Sequence, residues 1–147
     1  MKSLNKQAMK VFAKLIDGLD VYGHRQIDNA PDVYMPVTVE VVGSSKVEGS
    51  DWRSLAVSLS HYGEQNGDLM RDPEMIFKAV WFDGELQAVV PVYFRNDYLG
   101  SEQWSVTNWQ ELDAEYDGFY PKLQADQARF ANTWMKNIKA QQLSRAA

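Results

Sequence analysis

Four runs in which apolar residues alternate with polar ones, all between positions 37 and 94, constrain this chain more than any other feature. In "VTVEVV", Val37, Val39 and Val41 fall on one side of an extended backbone and Thr38 and Glu40 on the other. "SLAVSLSHY" repeats the pattern with Leu55, Val57 and Leu59 against Ser54, Ser58 and Ser60, which reads as a strand with one wet face. "MIFKAVWF" and "ELQAVVPVYF" follow, joined by Asp83-Gly84, a dipeptide that accepts the positive φ angles of a two-residue hairpin. Pro91 has no N–H to give to a ladder, so its strand is expected to lie at an edge or to bulge there.

The period changes at both ends of this region. Before it, Leu4, Ala8, Val11, Phe12, Leu15 and Leu19 share one helical face, with Ser3 as the expected N-cap and Gly18 near the stop. After it, Leu123, Phe130, Trp134 and Ile138, flanked by Ala131 and Met135, predict a second helix from Pro121 to about Leu143. The segment "VYGHRQIDNAPDVYMP" is full of turn formers and reads as irregular, and residues 96–121 read as a loop with one short strand. The fold class expected is therefore α+β, an antiparallel meander of four to five strands covered on one face by the N-terminal and C-terminal helices. A length of 147 residues suits a single domain, 1–147, with one core.

Several classes of function are disfavoured. The net charge of −5 argues against nucleic acid as a partner, because clustered Lys and Arg supply most non-specific affinity for phosphates. The basic excess at Lys136, Lys139 and Arg145 is expected to complement a helix dipole. No apolar run is long enough to span a bilayer, and the lysine-studded start does not resemble a signal peptide, so a cytoplasmic location is expected. Cysteine is absent, which removes disulfides and thiolate chemistry. With no phosphate-cradling loop, dinucleotide fingerprint or nucleophile elbow, no cofactor is expected.

The densest chemistry lies in "SHYGEQNGDLMRDPEM", residues 60–75. One reading is structural: His61 ends the buried row and bonds a carbonyl or carboxylate, with Asp68 and Asp72 as its candidate partners. Asn66-Gly67 makes a turn, Asp72-Pro73 enforces extension, and Arg71 bridges to an aspartate, all within a 12-residue connection from Gly63 to Glu74. The alternative is a metal-assisted hydrolase with His61, Asp68, Asp72 and Glu74 as catalytic residues and His61, Asp68 and Asp72 as ligands. The spacing matches neither a calcium loop nor a helical zinc pair, and the structural reading is preferred.

Aromatics crowd residues 93–120, and Glu111, Asp113, Glu115 and Asp117 would share one side of an extended chain. Such a row suits either a polar rim or a mimic of phosphates. The contact residues expected for a protein-binding module are Tyr98, Trp104, Trp109, Glu111, Asp113 and Glu115, the partner being another protein and an oligomer being compatible.

The run H-Y-x-x-Q-N-G-D-x-x-R-D-P-E-M, carried by His61, Tyr62, Gln65, Asn66, Gly67, Asp68, Arg71, Asp72, Pro73, Glu74 and Met75, is long and specific. With "YFRNDYLGSEQ" and "FANTWMKNIKAQ", it resembles a family of small bacterial proteins of unknown function found on plasmids, integrative elements and phages. The resemblance covers most of residues 33–142 and leaves out the first helix. It implies a cytoplasmic accessory protein of a mobile genetic element and no particular chemistry.

Overall fold

The structure is a computed structural model that describes residues 1–46, 48–108 and 116–143. Helix α1, Lys6–Ile16, precedes strands β1 (His24–Ile27), β2 (Val37–Lys46), β3 (Trp52–Gln65), β4 (Asp68–Phe82), β5 (Glu85–Asn96) and β6 (Ser101–Trp104). Helix α2, Pro121–Ile138, runs on into a π-helical turn, Lys139–Leu143. Among the described residues the strands form one six-stranded sheet in sequence order, each neighbour antiparallel. The fold is α+β as expected, with six strands in place of four to five. The strand the sequence hides is β1, four residues embedded among turn formers, which pairs Arg25 with Val39 and Ile27 with Val37.

Two tight turns set the register. Asp83 and Gly84 adopt φ of 50° and 80°, so the predicted two-residue hairpin forms. Asn66 and Gly67 do the same at 53° and 85°, and this overturns the long connection expected between Gly63 and Glu74. Gly63 pairs with Met70, Glu64 with Leu69 and Gln65 with Asp68, so β3 and β4 continue to the turn as a single long hairpin. The ladder is interrupted only between Ser60 and Tyr62, where His61 lies opposite Asp72 and Pro73. At Pro91 the bulge is realised and the edge is not: Phe77 pairs with Pro91 and Ile76 with Tyr93, leaving Val92 extra, while β6 pairs beyond.

Apolar residues of one strand parity, including Val37, Val39, Leu55, Val57, Leu59, Met75, Phe77 and Val89, form the main core with Phe12 and Leu15 of α1 and Trp134, Met135 and Ile138 of α2. Asn5, not Ser3, caps α1, its Oδ1 accepting the Ala8 N–H at 2.8 Å. Helix α2 departs further from its sequence reading, because Phe130 stays 43% exposed while Gln124 and Gln127 are buried. The opposite parity is not the wet face expected. Ser54, Ser58 and Ser60 are buried, beside a second cluster of Ala56, Ile76, Val92, Tyr93 and Val106.

The buried glutamines act as staples. Gln124 accepts the Lys2 N–H at 2.7 Å and donates to the Pro91 carbonyl at 3.2 Å. Gln142 accepts the Asn29 N–H at 2.7 Å and donates to the Met35 carbonyl at 3.0 Å, pinning the segment between β1 and β2. Where β6 does not reach, the free side of β5 is closed by Leu4 and Ser3, which bond the backbone of Val89 at 2.9 and 3.0 Å.

Candidate functional site

Each of the polar residues that stand out in residues 60–75 has a definite place, and most converge on the end of the sheet where the β3–β4 turn meets the turn between β5 and β6. Asp97 is the hub. Its Oδ2 accepts the Arg71 N–H at 2.8 Å, its Oδ1 accepts from Arg95 Nε at 2.7 Å, and its own N–H donates to the Arg71 carbonyl at 2.9 Å. These donors, Arg71's N–H first and then Arg95, hold the Asp97 carboxyl below the usual carboxylate range, and Asp97 in turn raises Arg95. Asn96 adds the second anchor: Nδ2 donates to Asp72 Oδ1 at 3.0 Å while Oδ1 accepts the N–H groups of Tyr98 and Leu99 at 3.0 and 3.2 Å.

One step inward lies a second polar group. Glu74 Oε2 accepts from Ser58 Oγ at 2.7 Å, and its Oε1 sits 3.2 Å from Arg71 Nε. The Tyr93 hydroxyl donates to Glu102 at 2.9 Å. Burial first, and then that bond to a carboxylate, push the phenol up to about 12. Ser58, expected from the sequence to face water, is thus a buried donor to a carboxylate.

The result is a turn, residues 97–100, fixed on two sides and carrying apolar side chains outward. Leu99 is 76% exposed, Tyr98 45% and Leu69, at the neighbouring hairpin tip, 66%. Tyr98 also leans on Gly63, where an added Cβ would strike its hydroxyl. Ordered display of apolar groups in water is unusual, since a loop with no partner has no need of so many bonds.

His61 does not join this cluster. It is buried on the core side, its Nδ1 donates to the Pro36 carbonyl at 2.9 Å, and its ring meets Trp134 edge-on at 5.4 Å. Burial lowers its pKa, outweighing the Pro36 carbonyl and Asp72, which act to raise it. The expected partners Asp68 and Asp72 are therefore replaced by a backbone carbonyl, and Arg71 reaches Glu74 and Asp97 instead of either aspartate. Asp68 is exposed at the hairpin tip, Asp72 bonds Asn96 and Glu74 bonds Ser58, so the four groups of the hydrolase reading do not converge. Among the described residues no three His, Asp or Glu side chains are placed to hold a metal ion.

Of the expected contact residues, Tyr98 is exposed, and Trp104 is half-buried with its ring 4.4 Å from Tyr93. Trp109, Glu111, Asp113 and Glu115 lie outside the described residues. Sequence reasoning missed Asn96, Asp97 and Leu99. The available sign was the Asn-Asp pair directly after a strand, since both residues bond nearby backbone in turns.

Residues 6–144 match the family model of a domain of unknown function, DUF6908, so the chain belongs to that family. The match includes α1, which the resemblance carried by residues 33–142 left out. No curated protein and no solved structure matches the chain.

Proposed function

We propose that this DUF6908 protein is a protein-binding module whose contact surface is the fixed turn 97–100 together with the tip of the β3–β4 hairpin. One observation carries the reading: Tyr98 and Leu99 are held in solvent by a turn that Asn96 and Asp97 bond on both sides. A surface ordered before it binds loses little conformational entropy on association, and exposed aromatic and aliphatic anchors are what protein interfaces concentrate. Trp104, on β6, extends the proposed surface.

The resemblance of the 61–75 run to proteins of plasmids, integrative elements and phages supports an accessory role on such an element, in the cytoplasm. No helix among the described residues is long and apolar enough to cross a membrane. A photo-reactive amino acid placed at position 99 should cross-link one defined protein in cells, and the same group at Glu85, exposed at the other end of the sheet, should not. Equal labelling at both positions defeats the proposal.

A further inference from the structure

The overall charge of −5 conceals a separation. Residues 1–16 hold Lys2, Lys6, Lys10 and Lys14 and no acid at all. Residues 121–143 hold Lys122, Arg129, Lys136 and Lys139 against Asp126 alone. The two helical segments together carry +7, which leaves −12 on the remainder of the chain. All of these lysines are exposed, and among the described residues Lys6, Lys10, Lys14, Lys136 and Lys139 form no ion pair.

Helix stability does not account for the pattern. A helix start favours acids, yet neither α1 nor α2 has one in its first turn, and Lys6 and Lys122 occupy those turns instead. Only Lys14 and Lys136, in the last turns, suit the dipole. The helices lie side by side, with the Asn5 N–H bonded to Asn132 Oδ1 at 3.0 Å. Between them opens a crevice of about 370 Å³ lined by Asn5, Gln7, Ala8, Val11, Asn132, Lys136 and Lys139, so amide donors stand beside the cations.

We infer that this helical face binds the phosphate backbone of double-stranded nucleic acid without reading its sequence. Rows of Lys with amide donors between them are the groups that contact phosphate oxygens. Lysine contacts to phosphate oxygens fix a protein on a duplex and carry no sequence information. Other polyanions fit less well. Helix α1 has no large exposed apolar side chain to enter a membrane, and the one on α2, Phe130, packs edge-on against Phe94 of the sheet at 5.2 Å. The lining of the crevice holds no aromatic side chain on which bases could stack, which disfavours single strands. This surface is separate from the turn at 97–100, and its test does not depend on the reading proposed there.

The test is fluorescence anisotropy of a labelled duplex titrated with the full chain. With about five phosphates neutralised, the association constant should fall several-hundredfold between about 50 and 200 mM salt, independent of duplex sequence. Lys10→Glu with Lys14→Glu should weaken binding more than tenfold, and so should Lys136→Glu with Lys139→Glu. Each single Lys→Gln should lower the salt slope by about one. Circular dichroism should be unchanged and the melting temperature should fall by no more than a few degrees, because these side chains are exposed and only Lys14 and Lys136 meet a helix dipole. No duplex binding at the lower salt, or binding indifferent to both double variants, overturns the inference. So does tighter binding to vesicles containing phosphatidylglycerol, or salt-sensitive self-association in place of duplex binding.

Discussion

The sheet has two hairpin tips built on the same turn, and they are braced differently. At Asp83-Gly84 the support is slight: Asp83 N–H bonds the Asp51 carbonyl at 3.0 Å, and Trp52 rests on Phe82 with ring centres 4.7 Å apart. At Asn66-Gly67 the flanking strands carry Arg71, Asp72 and Glu74, each tied to another element or strand. Both turns have the same positive φ pair and both close. A two-residue turn therefore forms here without polar side-chain bracing, and the bracing at the second tip reaches the neighbouring turn at 97–100. Within residues 60–75, Arg71 and Asp72 hold the turn that carries Tyr98 and Leu99.

The strongest way to break this comparison is Asp97→Ala, which takes the acceptor from the Arg71 N–H and from Arg95 at once. Its cost should be about 1–3 kcal/mol in the urea midpoint, against less than about 0.5 kcal/mol for Asp51→Ala, where only the main-chain carbonyl is used. Equal losses would mean the tips are equivalent.

Acid should separate the braced end from the core beside it. Asp97 titrates below its ordinary 3.8 when folded, so the unfolded chain binds more protons in that window; its contribution is complete above 3.8 and disappears as pH falls further. His61 also titrates below its ordinary 6.5, so its contribution is complete above 6.5 and declines as pH drops beneath it. Stability against pH should thus bend in two places. His61→Phe should remove the upper bend and Asp97→Asn the lower.

Gly67→Ala and Gly84→Ala sharpen the comparison from the other side. With φ of 85° and 80° and open space at both positions, each should cost about 1 kcal/mol, and the two costs should agree because the turn is the same. The smallest effect belongs to Leu99→Ser. It should change stability by less than about 0.5 kcal/mol, measured by thermal melting, while abolishing cross-linking by a photo-reactive amino acid placed at position 98.

Local rules made much of this molecule readable in advance. Asp83-Gly84 announced a hairpin because few L-residue pairs tolerate its angles, and Pro91, lacking a donor, announced an edge or a bulge, of which the bulge formed. The inward row of α1 followed from its period, with Ala8, Val11, Phe12 and Leu15 all buried. What stayed hidden depends on distant partners. Gln124 looks like a surface residue until Lys2, 122 positions away, and the Pro91 carbonyl are placed beside it. Ser58 looks wet until Glu74 faces it from β4. The site was half visible: its arginine and acids were singled out, but their true counterparts, Asn96 and Asp97, lay in a segment read as loop.

The contact of Ser3 and Leu4 with Val89 has a practical corollary. A strand with unsatisfied amides recruits whatever extended peptide drifts past, and here that hazard is met by a few residues upstream of α1 acting as a stopper. Trimming the chain to Asn5 would uncork β5, and would also take Leu4 from the core and the Lys2 N–H from Gln124. The shortened protein should then clump through edge-to-edge strand pairing at concentrations where the full one stays dispersed.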